Sequence, residues 1–372
     1  MKRILPLIAF LLILSCKEEK KKEEIVDAKV QMSNEPKQWL TFEGKSDGKN
    51  IVLISGDEEY RSEEALPQLA KILSKHHGFN CTVLFAQEET KPGMVNANYL
   101  KNIPGLEALE SADLMVIFTR FRALPDNQMK YIDDYLKSGK PVMGIRTATH
   151  AFNFDKDSDS KYTQYGNYYE GDIEEWHGGF GRLVLGEKWI NHHGHHKHQS
   201  TKGIIAEGAE ATGIVNGIED GDVWGASDVY GVRLPLVGDA QPIILGKVMN
   251  RKGEYDETDI FFGMKPTDDE PATINNDGLK LNDPMMPVTW VKSYQLPGGD
   301  KGKAFTTTVG AANDMLIEGT RRLLVNGIFW LLDFEVPEKA KVDLVGDYKP
   351  TKFEFRKDEY WPDKKLMIES LQ

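Results

Sequence analysis

The chain has 372 residues, 40% of them hydrophobic, with seven tryptophans and a formal net charge of −12. That is enough for a sizeable core, and α/β enzymes of this size are often one elaborated domain. The acidic balance excludes a nucleic-acid partner, which needs a basic face to displace counterions, and leaves small polar ligands open.

The N-terminus reads as an export signal: Lys2 and Arg3, an apolar run from Ile4 to Leu14, then "LSC" ending at Cys16. Those eleven apolar residues fall short of the roughly 20 that span a bilayer. "LSC" resembles the lipobox of bacterial lipoproteins. This implies cleavage before Cys16, lipidation of its thiol, and an exported protein whose only membrane contact is that lipid. The following "KEEKKKEE" carries four positive and four negative charges and can bury nothing, so residues 17–48 are expected to form a solvated tether. Only Cys81 then remains. It lies in the apolar "NCTVLFA", where a buried thiol behaves as a small hydrophobe, and no intrachain disulfide can form.

Strand and helix signals then alternate: strand 49–56, helix 62–76, strands 81–86 and 112–120, helix 125–139, strand 140–146. Ser62, followed by Glu63 and Glu64, reads as an imperfect capping box for the first helix. His76 and His77 fall at its end, as solvated caps. Near-continuous apolar strands separated by helices predict an open, mostly parallel α/β sheet with helices on both faces, of flavodoxin-like type. Such sheets bind ligands beyond the carboxyl ends of their strands, here the loops "SGDEEYR", "FTRFRALP" and "GIRTATHAF". Residues 155–285 read as long loops and short strands, with a strand at 241–249 and a polar insertion over about 250–285. Strands 286–294 and 302–310 and a helix at 318–333 complete a domain spanning 49–335. A tail, 336–372, wraps its surface.

Four segments together resemble the ThuA-like, or trehalose utilisation, family: "IVLISGDEEYRSEEALPQLAKIL", "KPVMGIRTATHAF", "GRLVLGEKWINHHGHH" and "PVTWVKSYQLPGGDKGKAFTTTVGAANDMLIEGTRRLLVNGIFWLL". The resemblance covers about residues 49–333. It implies a fold related to class I glutamine amidotransferases and a link to sugar metabolism. Two positions depart from the pattern. Amidotransferases of this fold carry a cysteine nucleophile at the G-x-C elbow, where this chain has Gly144, Ile145 and Arg146. A guanidinium is no nucleophile, so glutamine hydrolysis through a thioester is excluded. Relatives also have a histidine after the glycine of "TTTVG", where this chain has Ala311.

"WINHHGHHKHQS" places five of the nine histidines within residues 192–198. Three readings stay open: a metal centre, proton transfer and hydrogen bonding to a sugar, or a polar loop. Neighbouring residues on a strand face opposite ways. A bend at Gly194 would let His193, His195 and His196 converge, with His177, Asp228 or His150 completing a site for a divalent ion such as zinc. Trp176 and Trp189 flank the loop as candidate sugar platforms.

Arg146, His150, His193 and Asp228 are thus the candidate catalytic residues. Asp57, Glu58, Tyr60, Arg61, Arg120, Arg122, His195, His196, Trp224 and Tyr230 are the candidate substrate contacts. The expected activity is acid–base chemistry on an oxidised (3-keto) sugar or glycoside, with Arg146 steadying an enolate. A non-catalytic surface sugar-binding protein and a metal-dependent hydrolase using the histidine loop are the alternatives.

Overall fold

The structure is a computed structural model that describes residues 36–275 and 277–372. The signal, Cys16 and most of the tether lie outside the described residues. No described helix is long and apolar enough to cross a membrane.

One ten-stranded sheet organises the chain. Its strands are β1 (Trp39–Phe42), β2 (Asn50–Gly56), β3 (Asn80–Phe85), β4 (Leu114–Thr119), β5 (Val142–Ile145), β6 (Gln199–Ile205), β7 (Trp224–Gly225), β8 (Gln241–Asn250), β9 (Met286–Gln295) and β10 (Lys301–Thr307). They lie side by side as β1-β3-β2-β4-β5-β10-β9-β8-β6-β7. The run β3-β2-β4-β5-β10 is parallel. Every other pairing is antiparallel. The sheet is therefore mixed, which corrects the mostly parallel sheet expected. The correction has a local cause: β9 and β10 are joined by a short turn at Leu296–Asp300, and a connection that short permits only antiparallel pairing. A second correction concerns the tether. Trp39–Phe42, within its expected bounds, is a strand on the edge of β3, with Leu40 buried at 1% exposure.

Alternate residues of the parallel strands feed two cores. On one face Leu53, Val116, Met143 and Phe305 pack with α1 (Ser62–Ile72) and α3 (Glu318–Leu331). On the other, Ile54, Ile117, Val142 and Ala304 pack with α2 (Asp126–Lys137) and with Val184 and Leu185. Cys81 is buried in β3, and burial pushes its thiol up, away from reactive thiolate chemistry.

The capping box at Ser62 does not form. Arg61 stands before α1 in a left-handed conformation (φ 62°), while Ser62 Oγ bonds Ser55 Oγ at 2.8 Å and accepts from Asp57 N at 3.1 Å. Ser62 ties the β2 loop to the sheet instead. His76 and His77 are not merely solvated: their Nε2 atoms bond the carbonyls of Asp343 and Lys341 at 3.0 and 2.8 Å, which fixes the tail.

Because β2, β4, β5 and β10 are parallel, the segments after Gly56, Thr119, Ile145 and Thr307 emerge at one edge of the sheet.

Candidate functional site

Arg146 follows β5 directly, with φ 50°, a strained conformation for a side chain with a Cβ. The turn drives its guanidinium into the protein, where it is 0% exposed. Nη1 donates to Asp228 O at 2.9 Å and to Thr308 O; Nη2 donates to Tyr60 Oη at 2.9 Å and Asp228 Oδ1 at 3.2 Å. The rings of Tyr60 and Tyr230 sandwich it at 4.3 and 3.9 Å. Only Nε lacks a partner. A fork so occupied has no donor pair left for an enolate, which corrects the direct role expected of it. Arg146 is a positioning residue.

What it positions is Asp228. Burial alone would raise this carboxyl, but hydrogen bonds from His192 and His196 and the charge of Arg146 hold it far below the usual carboxylate range. The histidine loop reaches Asp228 by backbone pairing: His193 N and Gly194 N donate to Val229 O at 2.8 and 3.0 Å, and His192 bridges Tyr230. That register turns His192 and His196 toward the carboxylate. His192 Nδ1 donates to Asp228 Oδ2 at 2.7 Å and His196 Nδ1 to Oδ1 at 3.0 Å. Behind His196, Glu59 Oε1 lies 3.2 Å from Nε2. Burial disfavours the charged ring, yet the two carboxylates outweigh it and raise His196 to about 9. It is an imidazolium at neutral pH.

His193 and His195, two of the three favoured histidines, do not join this group. His193 is buried with Nε2 unpartnered, and His195 stacks on His198 at 4.2 Å. His192 and Glu59 are the site residues that the sequence reading passed over. Alternation along a strand implies that His192 and His193 face opposite ways, but only the pairing with Tyr230 decides which one faces inward.

The remaining candidates divide. His150 is buried beside the group, its ring 5.4 Å from Trp189 and 6.1 Å from Tyr230. Burial, then the charges of Arg120 and Arg146, push its pKa well down, so it is neutral. Asp57 folds the loop, accepting from Glu59 N at 2.9 Å, Tyr60 N and Thr147 Oγ1 at 2.6 Å. Burial and the charges of Glu58 and Glu59 push it up to about 6, against the Thr147 and Tyr60 hydrogen bonds. Glu58 pairs with Arg120 and with Arg122, which also donates to Ala97 O and Tyr99 O; Arg122 is thereby structural. Arg61 pairs with Glu63 and lies 5.0 Å over Trp361, anchoring the tail. Trp224 is core, edge-on to Phe261. Trp176 is core too, while Trp189 is half-buried 5.8 Å from His192. His177 bonds Gly171 O at 2.8 Å and does not enter the cluster.

The tail completes the wall. Phe353 is fully buried, 5.1 Å from the Tyr60 ring and 5.4 Å from His196, and Glu354 N donates to Glu59 O at 3.0 Å. Next to it, Arg120 lies between the rings of Phe121 (4.6 Å) and Phe355 (4.9 Å).

Two chemistries fit these atoms. An ionised Asp228 holding His192 by Nδ1 leaves Nε2 as a proton acceptor on a ring 40% exposed, the geometry of a carboxylate–histidine base. Alternatively, His192, His196 and Asp228 each offer a ligand atom, all within 4.8 Å of one another. Two imidazoles and a carboxylate suit zinc and related ions, and Glu59 behind His196 is the outer partner such ligands use.

The sequence matches no protein-family model and no curated protein. Among solved structures the chain is similar to a protein described as ThuA-like from Bacteroides uniformis ATCC 8492, at 12% identity and TM-score 0.43, over 76% of this chain and 91% of that one. It is also similar to a protein so described from Parabacteroides merdae ATCC 43184, at 14% identity and TM-score 0.42, over 84% and 98%. Likeness at this level assigns no function.

Proposed function

We propose that this protein is an exported, ThuA-like lipoprotein anchored through Cys16. In our reading it performs acid–base chemistry on an oxidised (3-keto) sugar or glycoside and has no glutamine amidotransferase activity. The parallel strands, taken in chain order, run 2-1-3-4-5, which supports a flavodoxin-like, amidotransferase-type core. Arg146 at the elbow in place of a thiol supports the loss of the glutaminase reaction.

The observation that carries the reading is the Asp228–His192 pair, 2.7 Å apart, with the outer nitrogen of His192 free. In a 3-keto-glycoside the hydrogen on C2 is acidic. His192 Nε2 takes that proton, and the C2–H electron pair forms the C2–C3 double bond of an enolate with its charge on the C3 oxygen. Collapse of that enolate forms the C1–C2 double bond as the C1–O bond breaks toward the departing alcohol. The proton on His192 then passes to that oxygen. The His196 imidazolium, close to His192, favours the negative charge that builds on the enolate.

The test is turnover. Purified protein given methyl 3-keto-glucoside should release methanol and an unsaturated ketone, followed by NMR, and His192→Gln should slow this about 100-fold or more. Tight binding of sugars without product would instead favour the sugar-binding alternative. The ligand-atom cluster at His192, His196 and Asp228 favours a second reading, metal-dependent hydrolysis. In that case chelation abolishes the activity and zinc restores it.

A further inference from the structure

The loop that follows β10 holds the site from behind. Thr308 O accepts from Arg146 Nη1, and Ala312 N donates to Tyr60 O at 3.1 Å. Asp314 ends the loop, fully buried, and four donors converge on its carboxylate. Gly310 N and Ala311 N reach Oδ2 at 3.1 Å each, which folds the loop on itself. Ser227 Oγ reaches the same oxygen at 2.9 Å, and Ala226 N reaches Oδ1 at 3.0 Å. These two residues immediately precede Asp228. A Cβ at Gly225 would lie 2.7 Å from Oδ2, so the end of β7 comes this close to the carboxylate only as glycine. On its other side Ser227 O accepts from Thr201 Oγ1 at 2.7 Å.

We propose that Asp314 is the positioning residue of the Asp228–His192 pair: it fixes where the Asp228 carboxylate stands, and so which nitrogen of His192 carries the proton. This rests on the reading of that pair as the working base. Arg146 bonds Asp228 O and Oδ1, while Asp314 bonds the two residues before Asp228. Both holds start from the one loop after β10, since Thr308 meets Arg146 and Asp314 meets Ser227. A shift of that loop therefore moves the cation and the carboxylate segment together. His192 can act as a base through Nε2 only while its Nδ1–H points at Asp228. Asparagine at 314 disturbs this with little change of shape. Its amide oxygen can serve the three donors at Oδ2 or the one at Oδ1, and in either case its NH2 group faces a donor. Buried donors left without an acceptor pull the segment out of place.

Ring 15N shifts of histidine-labelled, chelator-treated protein at alkaline pH read the His192 tautomer without any substrate. Wild type should show His192 protonated on Nδ1, and Asp314→Asn should show a mixture of the two tautomers. Turnover of methyl 3-keto-glucoside by Asp314→Asn should fall about ten-fold or more in kcat, with KM within about three-fold. Ser227→Ala removes one hydroxyl and no backbone contact, so it should move both readouts the same way by less. It decides the matter if Asp314→Asn does not fold. Asn326→Ala deletes a buried side chain bonded to the carbonyls of Ile214 and Asn216. It is the control for a general loss of stability and should leave the tautomer alone. An unchanged tautomer in the folded variants, or a change shared by Asn326→Ala, overturns the role of Asp314. Wild type without turnover overturns the reaction reading alone, because the tautomer still decides Asp314.

Discussion

His196 bridges two carboxylates, with Nδ1 3.0 Å from Asp228 Oδ1 and Nε2 3.2 Å from Glu59 Oε1. Both nitrogens donate, so folding stabilises the protonated ring, whose pKa rises from 6.5 to about 9. A raised pKa gives stability that is fully present below the unfolded value and lost as pH climbs through the folded one. Urea unfolding of chelator-treated protein should therefore show wild type losing on the order of 3 kcal/mol between pH 6.5 and 9 relative to His196→Gln. A pH-independent difference between the two proteins would contradict the bridge.

Arg146 should behave as a structural charge. Arg146→Ala leaves Asp228 short of a partner in the interior, and the expected loss is about 3–5 kcal/mol by denaturant unfolding. Arg146→Lys should recover little of it, since a single ammonium cannot span Tyr60, Thr308 and Asp228 together. Arg146→Cys should show no glutaminase activity by ammonia release.

Phe353 and Phe355 sit two residues apart but face different media. Phe353→Ala opens a cavity against Tyr60 and His196, with an expected cost of about 3–5 kcal/mol, and should lower turnover as well. Phe355 is 56% exposed, so Phe355→Ala should leave the melting temperature within a degree or two.

Metal uptake separates the histidines. On the metal reading, protein dialysed against zinc should retain about one ion per chain, lost in His192→Ala, His196→Ala and Asp228→Asn. The same measurement on His193→Ala and His195→Ala should be unchanged. The reverse pattern would restore the set that the bend at Gly194 suggested.

Cys16→Ala should move the protein from the membrane fraction to the soluble one without altering its circular dichroism. A variant that remains with the membrane would overturn the lipid anchor.

The sequence is most legible where one local rule suffices. β2, β4 and β5 are nearly unbroken apolar runs, and α2 and α3 have helical spacing, so both types stand out. β6 and β7 do not. One opens with four polar residues in a row, Gln199 to Lys202, before Gly203, Ile204 and Ile205, and the other is two residues long. Asp228, Tyr60 and His196 could be nominated because they lie on loops at the right sheet edge. The choice of His192 over His193 could not, since it hangs on a backbone register with a segment far along the chain. Arg146 was found for its position but misjudged in its role, because burial is a property of everything packed around it. Nothing in "KFEFR" announces that Phe353 will reach Tyr60.

That last contact gives the molecule a sense of time. Arg146, the histidine loop and Asp228 all leave the ribosome well before Phe353 and Glu354, which pack on His196 and bond Glu59. Domains generally fold as units during synthesis, and the site has no complete wall until the tail has emerged. Chains trimmed by a protease before residue 350 would lose Phe353, Trp361 and Ile368 from the core along with the wall behind His196 and Glu59.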